Sequence, residues 1–487
     1  MLEGHGRAKS ASDTAGHDNR RPRAAFATLG CKLNQYETQQ MRELLERAGY
    51  EIVEWDEPAD VYVVNSCTVT GRADRETRRL ARGAKRRQPD ALVVVAGCYA
   101  DTGAEALREI PEIDLIVPNA DKPRLALLLA EAAPGRLPVP ESPPADEGPM
   151  ITYFAGHTRA FVKVQEGCNA NCAYCIIPRA RGQERSVPVE RVIEQVRLLS
   201  RAGYRESVLI GTHLGRYGMD LEPRETLAGL CRRLLEMPEL GRLRLSSIEP
   251  REVSDELIDM LAASAQARMR GEFSGPARLC RHLHIPLQSG CDSVLRRMRR
   301  PYDTAFYREL VERLVAQVPG ICIGADVMAG FPGETDEEFA QTEAFLRALP
   351  IAYLHAFTYS ARHGTPAAEM DAQVRPDIRK HRTHILREIS EEKRQAFAES
   401  QVGQLLDVLI ERADDEHIEG TSDNYLRVRA TRRRAAPRPA SEQRASAESA
   451  PCPTGDIVLV EATEAHEGDL TGHVVEALSP PSPGRRN

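Results

Sequence analysis

The sequence predicts an α/β protein of three parts: a doubly wound parallel sheet, a central partial (β/α)6 barrel, and a small all-β barrel near the carboxyl end. Three observations predict it. Near the amino terminus, three apolar runs alternate with helical patterns, and each run ends on a cysteine. Between residues 160 and 357, six more apolar runs alternate with amphipathic stretches. From residue 398 onward, short segments alternate polar and apolar residues between turn signals.

Residues 1–21 are polar and charged and read as a disordered leader without the apolar stretch of a secretory signal. At 487 residues and 41% hydrophobic, the chain can build about three full cores. No apolar run approaches the roughly 18 residues of a membrane span, so a cytoplasmic protein with no membrane partner is expected. Eleven cysteines, an odd number, argue for reduced thiols and metal chemistry rather than a disulfide framework. The net charge of −7 does not by itself suggest a nucleic-acid partner, but the charge is unevenly placed.

The first domain is read over residues 22–131. Its apolar runs are Ala24–Cys31, Val61–Cys67 and Leu92–Cys98, with helices predicted at Thr38–Ala48 and Arg72–Arg87. Cys31, Cys67 and Cys98 are spaced 36 and 31 residues apart, about one βα unit each. Right-handed crossovers put all three at the carboxyl edge of the sheet, where open α/β sheets bind ligands. Three cysteines there suit a three-thiolate iron–sulfur cluster, against the plainer reading of three separate buried thiols. The predicted helix Arg72–Arg87 carries Arg75, Arg79, Arg82 and Arg86 on one face. That face is read first as solvated, with phosphate contact as the alternative. Residues 132–150, rich in Pro, Glu, Ala and Gly, read as a linker.

The second domain, residues 151–385, opens with a strand at Ala160–Val164 followed by Cys168, Cys172 and Cys175 in a C-x3-C-x2-C loop. Three thiolates hold three irons of a 4Fe–4S cube and leave the fourth iron open to a small molecule. A zinc site normally closes with a fourth Cys or His, and none follows locally. Further strands are predicted at Ser207–Gly211, Arg242–Ser246, Arg281–Ile285, Ile321–Val327 and Tyr353–Phe357. Helices are predicted at Val189–Arg201, Glu225–Glu236, Ser254–Ala262, Thr304–Val315 and Asp336–Ala348. Six strands leave the barrel open on one side, with function at the carboxyl ends. The loops there offer Ser247, Glu249, Gln288 and Asp326 as hydrogen-bonding groups for an amino-acid head group or a ribose, and Tyr174 as an aromatic face. Turn chemistry, capping and core packing are the alternatives for the same residues. Ala263–Pro276 reads as a surface insertion, and Cys231, Cys280, Cys291, Cys322 and Cys452 read as structural or incidental.

The third domain, residues 398–476, has strand-like runs at Gln404–Ile410, Tyr425–Arg429 and Asp456–Val460, which suggest a small β-barrel. It is interrupted at 431–453 by a low-complexity segment rich in Arg, Ala, Pro and Ser, and residues 477–487 form a tail. The arginines of the insertion are read as either a phosphate grip or a solvated loop.

Taken together, the three-cysteine domain, the C-x3-C-x2-C barrel and the terminal β-barrel resemble the radical S-adenosylmethionine (radical SAM) methylthiotransferases. The wording that carries the resemblance is Gly30-Cys31-Lys32-Leu33-Asn34-Gln35-Tyr36-Glu37-Thr38, Asn65-Ser66-Cys67-Thr68-Val69-Thr70, Gly97-Cys98-Tyr99 and His284-Ile285-Pro286-Leu287-Gln288-Ser289-Gly290. It is most similar to the subgroup acting on threonylcarbamoyladenosine beside the tRNA anticodon. The resemblance implies two 4Fe–4S clusters, an auxiliary one on Cys31, Cys67 and Cys98 and a radical SAM one on Cys168, Cys172 and Cys175. It implies S-adenosylmethionine as both methyl donor and radical source, hydrogen abstraction from adenine C2, and methylthio insertion there. It further implies a TRAM-like RNA-binding last domain, a tRNA anticodon-loop partner, an external electron donor and sulfur source, and a monomer. Isopentenyladenosine in tRNA and a ribosomal-protein aspartate remain alternative substrates. A zinc-stabilised, non-catalytic RNA-binding protein is the alternative of a different class. The Arg-rich insertion and the Ala263–Pro276 segment depart from the family pattern.

Overall fold

A computed structural model describes residues 20–140, 148–273, 275–432 and 453–478. The leader up to residue 19, the core of the Arg-rich insertion with Cys452, and the tail from residue 479 lie outside the described residues.

The amino-terminal sheet is wholly parallel, in the order Glu51–Val53, Arg23–Thr28, Val61–Ser66, Leu92–Gly97, Leu115–Val117. Alternation along each strand feeds two separate cores. Val61 and Val63 face one layer with Met41 and Leu129, while Tyr62 faces the other with Ala81 and Leu107. The two outer strands are three residues long, too short to leave a pattern in the sequence. The first helix starts earlier than its apolar pattern suggests, at Lys32, and runs to Arg47. Leu33, Asn34, Tyr36 and Glu37 are therefore buried helical residues rather than loop. Helix Gly71–Arg87 starts from Thr70, whose hydroxyl accepts the Ala73 N–H.

The partial barrel has six main strands: Ala160–Lys163, Glu206–Ile210, Arg242–Leu245, His282–His284, Cys322–Ala329 and Tyr353–Thr358. They form two parallel sheets, stitched by one bridge between Ser247 and His284. One outer strand of the barrel is Ala160–Lys163, and Leu33 and Tyr36 of the first helix belong to the barrel's own core beside it. The other outer strand is Tyr353–Thr358.

The surface-insertion reading of Ala263–Pro276 is corrected. Helix Asp255–Met269 continues through the first half of that segment, and Ala265 and Arg268 are buried. Its run of Ala and Ser gives little hydrophobic contrast, so the buried face is invisible to periodicity. Residue 385, read as a domain end, lies inside the 24-residue helix Pro376–Glu399. That helix packs on strand Tyr353–Thr358 and continues to the carboxyl-terminal barrel.

The last domain is a closed five-stranded barrel in the order Leu405–Ala413, His417–Ser422, Arg427–Thr431, Asp469–Ala477, Ile457–His466. It docks on the amino-terminal end of the central barrel through buried charge. Glu206 receives Arg242 at 2.6 Å and Arg244 at 2.7 Å. The same two guanidiniums donate to the carbonyls of Asp407, Thr421, Ser422 and Asp423. Arg268 pairs with Asp407 at 2.8 Å and Arg281 with Asp423 at 2.7 Å. Burial alone would raise the Glu206 and Asp423 carboxyls, but the facing arginines hold both well below the usual carboxylate range. A buried pair that loses one partner leaves an uncompensated charge, at a cost of about 3–5 kcal/mol. Asp423→Ala is therefore expected to lower unfolding stability by about that amount, read by denaturant titration. Because the folded carboxyls are depressed, their contribution is present above the ordinary carboxylate pKa of about 4 and is lost as pH falls below it. Limited proteolysis between the two barrels should accelerate below that pH and not between pH 6 and 8.

Candidate functional site

The chain brings the two cysteine sets to facing edges. In the amino-terminal domain, Gly30 has φ +96°, and a Cβ there would lie 2.6 Å from the Cys67 Cβ. Only glycine lets the Cys31 backbone approach Cys67 this closely. Gly97 has φ +94° and abuts the Asn65 side chain, which places Cys98 at the start of a short helix. Cys31 is exposed, whereas Cys67 and Cys98 are buried. Burial pushes the Cys67 thiol up to about 11, and it raises Cys98 as well, although Arg181 and Lys122 pull Cys98 back.

In the barrel, Cys168, Cys172 and Cys175 lie on the loop beyond the first strand, each partly buried. Burial pushes the Cys175 thiol up to about 12. Each of the other two sulfurs has a polar neighbour. Arg300 Nη1 donates to Cys172 Sγ at 3.2 Å, and His213 Nδ1 lies 3.4 Å from Cys168 Sγ. The Ala170 N–H also points at Cys168 Sγ, at 3.4 Å. Burial works against charge on His213, but its contacts with Cys168 and Glu252 prevail and lift it to about 10. His213 and Glu184 were not legible as neighbours of Cys168, because the three stand on separate loops. Donors aimed at sulfur suit an anionic thiolate-held cluster.

The two edges are joined by a buried ion network. Arg181, at the end of helix Ile177–Arg181, donates to Glu37 at 2.7 Å, to Asn34 Oδ1 at 2.6 Å and to Glu166 at 3.0 Å. Lys122 reaches the other Glu37 oxygen at 2.5 Å. Burial would raise Glu37, but Arg181 and Lys122 hold it well below the ordinary range. Asn119 Nδ2 donates to the Ala180 carbonyl at 2.9 Å and lies 3.7 Å from Cys98 Sγ. A second seam is formed by Arg362, which donates to Thr68 and Asp74 at 2.7 and 2.6 Å. The Ala367 N–H, in turn, donates to the Ala173 carbonyl between the loop cysteines at 2.8 Å.

The expected ligand contacts divide. Ser247 is exposed at its strand end, and Glu249 pairs with Arg300. Burial raises the Glu249 carboxyl despite that pairing. Gln288 adopts φ +71°, a left-handed conformation that costs a non-glycine residue energy and marks a constrained site. Its N–H donates to the Asp326 carbonyl at 2.7 Å. Asp326 accepts from His284 and His355. Tyr174 packs against the small core of Ala173, Met298 and Phe331. Thr212 Oγ1 and Ser246 Oγ, beside the carboxyl ends of two neighbouring strands, are buried with no hydrogen-bond partner among the described residues. Unsatisfied hydroxyls at that rim suit a polar ligand. Arg75, Arg79, Arg82 and Arg86 are exposed, and Arg79 pairs with Glu76. Cys231, Cys280, Cys291 and Cys322 are buried and free of disulfides, Cys291 in the small core on which Tyr174 packs.

Exposure sorts the six thiols. In metal-free protein at pH 8, Cys31 is expected to be alkylated at least about tenfold faster than Cys67 or Cys175, whose thiols stay neutral. Mass spectrometry of iodoacetamide-labelled peptides checks this.

Two family models match the chain: "Uncharacterized protein family UPF0004" over residues 23–118 and "Radical SAM superfamily" over residues 162–346. A threonylcarbamoyladenosine tRNA methylthiotransferase of Bacillus subtilis is 38% identical, across 83% of this chain and 89% of its own. A protein of the same name from Aquifex aeolicus is also 38% identical, across 80% and 92%. A ribosomal protein uS12 methylthiotransferase of Trichlorobacter lovleyi is 32% identical, across 93% and 98%. Among solved structures, the radical SAM methyltransferase TsrM of Kitasatospora setae, with cobalamin and a [4Fe-4S] cluster bound, shares the fold with a TM-score of 0.52. It is 16% identical and covers 72% of this chain and 77% of its own.

Proposed function

This chain belongs to the radical S-adenosylmethionine methylthiotransferases, and from that membership we propose that it methylthiolates C2 of N6-threonylcarbamoyladenosine next to the anticodon of tRNA. The observation that carries the substrate is the gradient of similarity. Relatives named for this nucleoside include ones 38% and 36% identical, while one named for dimethylallyladenosine is 33% and one named for the ribosomal protein 32% identical. The ribosomal-protein reading is kept as the second one because that relative aligns with 93% of the chain, more than the 83% matched by the Bacillus subtilis protein.

The family works with S-adenosylmethionine and 4Fe–4S clusters, which when bound would supply one-electron cleavage and carry the sulfur to be transferred. The residues of this chain do the holding and aiming. Cys168, Cys172 and Cys175 would hold the radical SAM cluster and Cys31, Cys67 and Cys98 the auxiliary one. Each set brings three thiolates, so one iron in each is left without a protein ligand. Arg300 and His213 balance charge at the first set, and Arg181 does so beside Cys98. Ser247, Glu249, Gln288 and Asp326 supply polar groups for the amino-acid and ribose parts of S-adenosylmethionine, with Tyr174 behind the loop. The network through Arg181 fixes the spacing across which sulfur must pass to carbon, and proximity of that kind is worth several kcal/mol of barrier. The carboxyl-terminal barrel, TRAM-like in build, would hold RNA through phosphate contacts.

Anaerobic reconstitution tests the cluster assignment. Wild type should hold close to two 4Fe–4S clusters and Cys168→Ala/Cys172→Ala/Cys175→Ala close to one, by iron and sulfide count. Zinc in place of iron would return the chain to a non-catalytic RNA-binding role. Incubation with a threonylcarbamoyladenosine hairpin, an isopentenyladenosine hairpin and ribosomal protein uS12, read by mass spectrometry, should give product on the first alone.

A further inference from the structure

The outer strand Tyr353–Thr358 carries two exposed side chains that the cluster chemistry leaves without a task. His355 is 53% exposed at its side chain and Phe357 47% exposed. They stand two apart on one strand, so both point to the same face, and their rings are edge to face at 6.4 Å. The chain just beyond Phe357 is where the two cysteine sets meet. Ser360 Oγ accepts from the Gly71 N–H at 3.2 Å, and Arg362 donates to Thr68, the residue after Cys67. Ala367 bonds to Ala173, inside the C-x3-C-x2-C loop.

His355 is held by a directed chain of hydrogen bonds. His282 Nε2 lies 2.9 Å from the Tyr353 hydroxyl, which lies 3.3 Å from His284 Nδ1. His284 Nε2 then meets Asp326 Oδ1 at 2.9 Å, and the same oxygen meets His355 Nδ1 at 3.4 Å. His282 is fully buried and its Nδ1 has no partner among the described residues. A bare lone pair is a cheaper orphan there than an N–H, so Nε2 carries the proton and donates to Tyr353. Tyr353 in turn donates to His284 Nδ1, and His284 Nε2–H donates to Asp326. The spacing of His284, Asp326 and His355 also suits a divalent cation. A cation would strip His284 Nε2, reverse the chain and leave a buried N–H at His282 Nδ1, so the hydrogen-bonded form is preferred. In that form the Asp326 carboxylate orients His355 through Nδ1–H, and with both ring nitrogens protonated Nε2–H is left to donate to a further partner.

We infer that His355 and Phe357 form the subsite for the modified base, with Phe357 stacking on the adenine and His355 Nε2–H donating to the carboxylate of its N6 substituent. This rests on the substrate reading above. Exposed aromatic rings are what unstacked RNA bases pack on, and a charge-assisted bond to a carboxylate separates an amino-acid-bearing substituent from an apolar one.

The test uses reconstituted holoenzyme and two anticodon hairpins, identical except for threonylcarbamoyladenosine or plain adenosine at the target, with Kd read by fluorescence anisotropy. Wild type should favour the first by about tenfold, the worth of one charge-assisted hydrogen bond. His355→Phe should bring the ratio close to one, and His355→Gln, whose amide still donates, should restore part of it. Phe357→Ala should weaken both hairpins about tenfold and keep their ratio, as lost stacking does. In turnover, His355→Phe should act through KM. A preference that survives His355→Phe, or unchanged binding in Phe357→Ala, overturns the subsite. A wild type that methylthiolates another substrate and not the threonylcarbamoyl hairpin overturns the substrate reading itself.

Discussion

One buried guanidinium sets the geometry of this protein. Arg181 ends the short helix that follows the C-x3-C-x2-C loop, and it is bonded across the domain seam to Glu37 and Asn34 and within its own barrel to Glu166. A charge so far from water persists only while its partners stay in place. The first helix cannot slide against the barrel without stranding either the arginine or Glu37. Because Cys31 precedes that helix by one residue and Cys175 precedes Arg181 by six, the separation of the two cysteine sets follows from the same contacts. The domains are welded at the one place where a small relative motion would cost the chemistry most.

Much of this was legible in the sequence. Cysteines at three strand ends announce their own alignment, because the βα repeat returns the chain to the same edge. The C-x3-C-x2-C loop is local, and its position after an apolar strand needed no tertiary knowledge. Gln288 falls just past a strand end, as its sequence suggests, whereas Asp326 lies inside Cys322–Ala329, a strand that runs two residues further than its apolar pattern.

What escaped was paired at a distance. Glu37 and Arg181 are 144 residues apart, and each alone resembles an ordinary helical charge. Strand Arg242–Leu245 alternates Arg and Leu, which in isolation describes one wet face and one dry face. Here both faces are buried, and the arginines serve the third domain. His355 and Asp326 fall on adjacent strands, so their pairing appears only once register is known.

The docking of the last domain has a metric consequence. It occupies the amino-terminal end of the central barrel, with Tyr425 stacked on His282 at 4.2 Å, whereas the cysteines crown the other end. The two ends are separated by the height of one strand: eight residues in Cys322–Ala329, about 26 Å at the usual rise. The body thus acts as a caliper. A polymer gripped at the foot would have to run at least that far along the flank before any part of it reached the jaws, and short fragments would lose one hold or the other. If the foot holds RNA as proposed, substrate length is selected along with substrate chemistry.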